Sequence, residues 1–386
     1  MRTRVDAGTT YWSAATGPYL WHEFDVQRVT TELRAMSAFG VRVVRTLLPW
    51  DVFMPQRDAV PAARLRDVET LLSVAAAQSI SVVPVLFAHS LGDCVMLPAY
   101  AIDVRTPRAG VRVLTDAVVQ PGGPRDMYTD TLMLDTAVAW LASMLGAFAG
   151  HPAIAAWDLG HDPASTVRPR RIDDMRRWVT LLAGRVHERA ERCVLTLSTR
   201  DLVNGRAVRM NALAPALDGV GLILEPEWLA AGHGLDAHAA VFLLQLANTF
   251  APDATPLTAH LAAAEDDDAA PANRYARDTV AGVIENGAAA VFAGAWASSG
   301  ARVAHVPPLD HAPALGRRGL VDSGGDATVF GAAWREQFAR EHERHARVQL
   351  ATRVDVDDYY ANLPDSVNEL YAAWEDGGRD DPAMLS

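Results

Sequence analysis

The stretch Ala153-Ile-Ala-Ala-Trp-Asp-Leu-Gly-His-Asp-Pro163 decides how the chain is read. Its first seven residues are mostly small and apolar, without the polar alternation of a half-exposed strand. That pattern predicts a strand covered on both faces, as in a parallel sheet. Gly160 and Pro163 end it abruptly. His161 and Asp162 then stand just past the strand's C-terminal end, the place where a (β/α)8 barrel puts its chemistry.

Working outward, further strands are expected at Arg4–Trp12, Val41–Leu48, Ile80–Phe87, Cys193–Ser198, Asp218–Leu224, Thr255–Leu261 and Ala288–Trp296. Between them run helical patterns at Asp25–Phe39 (closed by Gly40), Pro61–Gln78, Thr131–Gly150, Pro169–Glu191, Ala237–Phe250, Asn273–Gly287 and Ala332–Ala346. This βα alternation predicts an α/β fold, a (β/α)8 TIM barrel forming a single domain over residues 1–348. The tail, residues 349–386, carries Tyr359, Tyr360, Tyr371 and Trp374 and is expected to pack back on the barrel, its last residues disordered. Ala88–Asp130 reads as a long irregular loop after the third strand, a length that usually marks a functional or mobile segment. His89, Asp93 and Tyr100 on it are within reach of the barrel mouth, unless the segment is a surface lid without ligand contacts.

Composition narrows the class. The 386 residues are 50% hydrophobic and carry a net charge of −12, with every basic side chain an arginine. An acidic chain of this kind argues against nucleic acid or an anionic membrane as partner. No apolar run reaches the ~18 residues of a membrane span. The N-terminus lacks a signal-peptide apolar segment, so a cytoplasmic protein is expected. Two cysteines, Cys94 and Cys193, lie far apart without metal-type spacing and read as free thiols.

Several motifs resemble the clan A glycoside hydrolases, the family 5 cellulase and mannanase type. Trp157-Asp-Leu-Gly-His-Asp-Pro163 resembles the Trp-Asp-Leu-Gly-Asn-Glu-Pro end of that family's fourth strand, but His161 replaces the sugar-holding Asn and Asp162 replaces the acid/base Glu. Val41–Arg45 with Trp50, Phe53 and Pro55 resembles the second-strand pattern. There Arg45 matches the arginine that lies beneath the nucleophile. Trp296 matches the tryptophan that floors a sugar subsite. The family's seventh strand ends in a nucleophilic Glu. Counting from Pro256 puts Leu261 there, or His260 if the register slips by one. On the sixth strand, Glu225 and Trp228 stand where the family has a His-x-Tyr-Pro site. The resemblance thus implies a barrel with an oligosaccharide or polysaccharide ligand, without a cofactor.

The same residues set the alternatives. A retaining glycosidase needs two carboxyls about 5–5.5 Å apart. Asp162 is one methylene short of a Glu, and neither Leu261 nor His260 is a carboxylate. The first reading is therefore a degenerate glycoside hydrolase-like barrel that binds carbohydrate, lined by Arg45, Trp50, His161, Trp228, His260 and Trp296. The second is an active β-glycosidase using Asp162 as acid with a relocated carboxylate, Glu225 or an acid of Glu265–Asp268. The third is a metal-dependent hydrolase drawing on His89, His161, Asp162 and His260, although no local metal-ligand spacing supports it.

Overall fold

A computed structural model describes residues 4–205, 207–229, 235–252, 257–261 and 269–378. Eight parallel strands close into a barrel: β1 (Asp6–Thr10), β2 (Val43–Leu47), β3 (Ser81–Val85), β4 (Trp157–His161), β5 (Cys193–Ser198), β6 (Gly219–Leu224), β7 (Leu257–Leu261) and β8 (Ala290–Ala293). Closure is made by β1, which pairs with β2 on one side and β8 on the other. The ring outside is α1 (Val26–Phe39), α2 (Ala62–Ala77), α3 (Thr131–Phe148), α4 (Ile172–His187), α5 (Met210–Leu213), α6 (Ala237–Phe250), α7 (Ala269–Glu285) and α8 (Val329–Gln337). The predicted (β/α)8 fold is the observed one.

Local chemistry sets the ends of these helices. Asp25 caps α1 by accepting from the Arg28 amide, and Gly40 closes it at φ 109°, a left-handed turn that costs glycine little. Asp130 and Asp236 cap α3 and α6 in the same way. The 18-residue α3 has a mean hydropathy of 1.5, long and apolar enough to cross a membrane by composition, contrary to the sequence expectation. Its apolar residues Met133, Trp140, Leu141 and Met144 are buried, and Trp140 Nε1 donates to the Leu86 carbonyl at the end of β3.

Three expectations need correction. Residues 88–130 are not irregular. They fold into a small four-stranded sheet (Ser90–Leu91, Cys94–Met96, Arg112–Thr115, Val118–Gln120), with Ile102–Asp103 paired to Gly123–Pro124. The eighth strand does not run through to Trp296. It leaves the barrel at Gly294, and Ala295–Ala297 pairs instead with Gly319–Val321. The last ring helix stops at Gln337 rather than reaching Ala346.

The fifth crossover is also short, because α5 is a four-residue helix. The tail covers this place. Its helices α9 (Val356–Ala361) and α10 (Asp365–Gly378) pack Tyr359 and Tyr360 against Phe250, edge-on and tilted at 4.9 and 5.5 Å between ring centroids, and Tyr371 and Trp374 against Phe242. The Tyr359 hydroxyl donates to the Leu202 carbonyl, and the Met210 amide donates to the Tyr360 hydroxyl. Cys94 and Cys193 are free and buried.

Candidate functional site

The centre of the barrel is polar. Arg45 points inward from β2 and is buried, so its charge requires compensation. Its Nη2 donates to Asp158 Oδ2 of β4 at 2.6 Å and to Thr196 Oγ1 of β5 at 3.2 Å. Asp158 also accepts from the Gly160 amide and from the Thr196 amide and hydroxyl. Gly221 of β6 makes this meeting possible. A Cβ there would lie 2.6 Å from Thr196 Oγ1 and 2.7 Å from His260 Nε2. His260 of β7 stacks on Phe292 of β8, and its Nε2 bonds Thr258 Oγ1.

Above this layer, at the C-terminal mouth, lies a cavity of about 390 Å³. Of the residues singled out from sequence, Arg45, His161, Asp162, Glu225, Trp228 and His260 line it together. Trp50 and Trp296 do not, which corrects their expected place in the cleft. Trp50 is buried between Phe87 and His89. Trp296 leaves with the strand at Gly294 and meets Phe39 of α1 edge-on. Residues missed by the sequence reading complete the wall: Trp12 past the end of β1, Ser198 at the end of β5, Arg200 just after it, and Arg318 from the loop that follows β8. Ser198-Thr-Arg-Asp201, a polar run just past a barrel strand, was the available signal for Arg200.

His161 is neutral. Burial first, then the charges of Arg45 and Arg318, push it down to about 3. Arg45 Nη1 stands 3.3 Å from His161 Nδ1. Because the guanidinium can only donate, Nδ1 accepts and the ring proton sits on Nε2. Asp162 has φ 47°, an uncommon left-handed conformation for a side chain of this size, at the start of the short helix Pro163–Thr166. Its Oδ2 accepts from Arg200 at 3.2 Å, while its Oδ1 is buried without a partner. Burial raises its pKa and outweighs the opposing Arg200 charge. Glu225 Oε2 is held by Ser198 Oγ and Trp228 Nε1. Burial raises its pKa too, with the Asp162 charge a smaller contributor in the same direction. Next to Asp162, Asp201 is wholly buried with both carboxyl oxygens unpartnered. Burial and the Asp162 charge push it up to about 8.

The carboxylates among the described lining residues are Asp162 and Glu225. No carboxylate comes from β7, where His260 and Leu261 end the strand. Glu265–Asp268 lie outside the described residues, as does Pro256. His89 is buried away from the cavity with both ring nitrogens unpartnered. Among the described residues no three His, Cys, Asp or Glu side chains converge to hold a metal ion.

No protein-family model matches the chain, and no curated protein matches it by sequence. Solved structures do match in fold. The GH5_18 protein from Streptomyces cattleya in complex with GlcNAc superposes with a TM-score of 0.79 at 16% identity, covering 97% of this chain and 91% of that one. The exo-β-1,4-mannosidase Op5Man5 from Opitutaceae bacterium strain TAV5 gives 0.74 at 17% identity over 89% of this chain; this chain spans 61% of its length. A GH5_18 from Bifidobacterium longum subsp. infantis gives 0.74 at 18% identity, covering 89% and 81%. The fold is therefore a glycoside hydrolase family 5-like barrel.

Proposed function

We propose that this chain is a carbohydrate-binding barrel of the family 5 type that has lost its standard hydrolytic pair. The end of β7 carries this reading, because the strand offers His260 and the core residue Leu261 where a retaining mechanism needs a carboxylate. What remains suits a sugar. Trp12 and Trp228 offer ring faces, while neutral His161, Ser198 and the arginines offer hydrogen-bond donors. Asp162 is tied to Arg200 and its carboxyl is set about 1 Å back by the missing methylene. A misplacement on that scale costs about 10²-fold even where the chemistry is intact.

A GH5_18 structure from Streptomyces cattleya holds Manβ1-4GlcNAc, which makes this disaccharide the first probe. Calorimetric titration should show saturable binding, and the same protein should not release the aglycone from aryl β-mannosides or β-glucosides above background. Turnover that disappears in Asp162→Ala would overturn the proposal.

One observation favours a second reading. Asp162 and Glu225 line the same cavity, and the charge of Asp162 is felt at Glu225. An inverting hydrolase would use Asp162 as acid and Glu225 as base on an intervening water, with carboxyls about 6.5–9.5 Å apart. It requires that Glu225→Gln abolish turnover and that the first product have inverted anomeric configuration by NMR.

A further inference from the structure

We infer that the glycan bound in this cavity is anionic, and that its acidic group seats against the guanidinium of Arg318. The inference rests on the glycan-binding reading and narrows its substrate class.

The other cations of the cavity are engaged. Arg45 is neutralised by Asp158 at 2.6 Å. Arg200 pairs with Asp162 at 3.2 Å and lies over the Trp228 ring at 5.8 Å. Arg318 differs. Among the described residues it has no hydrogen-bond or ion-pair partner, and its Nε is buried without one. Its charge reaches His161 at the end of β4 and Glu225 at the end of β6, which places it beside the cavity rather than out in solvent.

The chain as a whole carries −12, while the described lining of this mouth sets three arginines, Arg45, Arg200 and Arg318, against two carboxylates, Asp162 and Glu225. On the other side of the Pro163–Thr166 turn, Arg108, Arg125, Arg168 and Arg170 line a second groove of about 600 Å³ together with Asp103, Asp126 and Asp130, and Arg125 pairs with Asp130 at 3.0 Å. Arg108 donates to the Ser165 and Thr166 carbonyls. Burial, and then crowding by Arg200 and Arg168, lower its pKa, so like charges are held close together there. A guanidinium left without a counter-ion at a cavity wall draws an incoming anion. An arginine's planar fork matches a carboxylate or an oxyanion ester and prefers it to a neutral hydroxyl. A uronate, a sulfate ester and a phosphate ester share this chemistry.

Calorimetric titration of the full chain tests it in four arms: Manβ1-4GlcNAc, a uronate-bearing disaccharide of similar size, and mannose disaccharides carrying a sulfate or a phosphate. At least one anionic arm should bind about tenfold tighter than the neutral one, equivalent to about 1.4 kcal/mol. That advantage should shrink as sodium chloride is raised from 50 to 500 mM. Arg318→Gln should bring the ratio to about one. Arg318→Lys should keep the advantage for the esters while reducing it for the planar uronate. Equal affinity in all four arms, or a preference that survives Arg318→Gln, overturns the inference and leaves the glycan-binding reading standing. Binding in none of the arms overturns both. If a variant fails to fold, the salt dependence of the unmodified protein still decides: an anionic preference that salt does not weaken overturns the inference.

Discussion

At the scale of single residues, the molecule is built around one buried charge. Arg45 is almost fully buried, and Asp158 is the carboxylate that answers it, 2.6 Å away. Removing one member of such a pair leaves an uncompensated charge in the barrel, at a cost of about 3–5 kcal/mol. Asp158→Ala should therefore lower unfolding free energy in urea by that order, whereas Arg45→Met combined with Asp158→Leu should cost clearly less than the two single changes added. A loss below about 1 kcal/mol for Asp158→Ala would show that the pair is not needed to balance Arg45. The sequence made Arg45 legible, because an arginine inside a β-branched strand must find a partner. It left Asp158 unread, since an acid two residues ahead of Gly160 carries no sign of which way it points. Asp201 was equally hidden. It is buried in the five-residue helix Thr199–Val203 after β5, too short for any periodicity to announce.

At the scale of elements, the segment between β3 and α3 acts as one wall of the cavity. Ser90, Leu91 and Gly92 from its small sheet meet Ala312, Ala314 and Leu315 from the loop after β8 across the mouth. Arg112 fastens the two. It bonds Asp93 twice, at 2.8 Å each, and Asp310 twice, at 2.6 and 2.7 Å. His311 Nδ1 adds a contact to Asp93 at 2.9 Å. Although burial opposes it, the hydrogen bonds from Arg112 and His311 hold the Asp93 carboxyl down to about 2. Arg112→Met should let this wall open locally. Hydrogen exchange at Cys94–Met96 and Arg112–Thr115 should speed up about tenfold or more while the barrel strands keep their protection. Unchanged exchange there would mean that apolar packing of Cys94, Met96 and Leu114 holds the wall without the clasp. The ring elements with strong periodicity were legible: β5 and α6 begin and end where the sequence placed them. The strands of this wall were not, because at two to four residues each they are too short to show a period. Trp296 was misplaced for a related reason, since the break at Gly294 moves its strand out of the barrel.

At the scale of the whole molecule, buried ionisable groups tie stability to pH. Burial pushes His89 and His161 from the usual 6.5 down to about 3, and pushes His260 well below its usual value. Below about pH 6.5 the unfolded chain binds protons on these three rings that the folded chain refuses, in the case of His89 and His161 down to about pH 3. Stability therefore rises with pH in that window, by about 1.4 kcal/mol per pH unit for each ring, and it is lost on acidification. Asp201 works the other way. With its pKa raised to about 8, the folded state holds a proton that the unfolded state releases above 3.8, so its contribution falls as pH rises through that range. Asp162 and Glu225, also raised, subtract in the same direction. Below 6.5 the three rings outweigh Asp201, and above 6.5 the falling slope of Asp201 continues to about pH 8. Urea midpoints measured from pH 4.5 to 8.5 should thus trace a dome with its top near pH 6.5. His89→Phe removes a ring that lies outside the cavity and should flatten the acid limb by about 1.4 kcal/mol per pH unit. Asp201→Asn should flatten the alkaline limb and leave the acid one steep. A level plateau from pH 5 to 8 would mean that these groups reach water or partners in the folded state, and that the barrel's polar centre is not sealed.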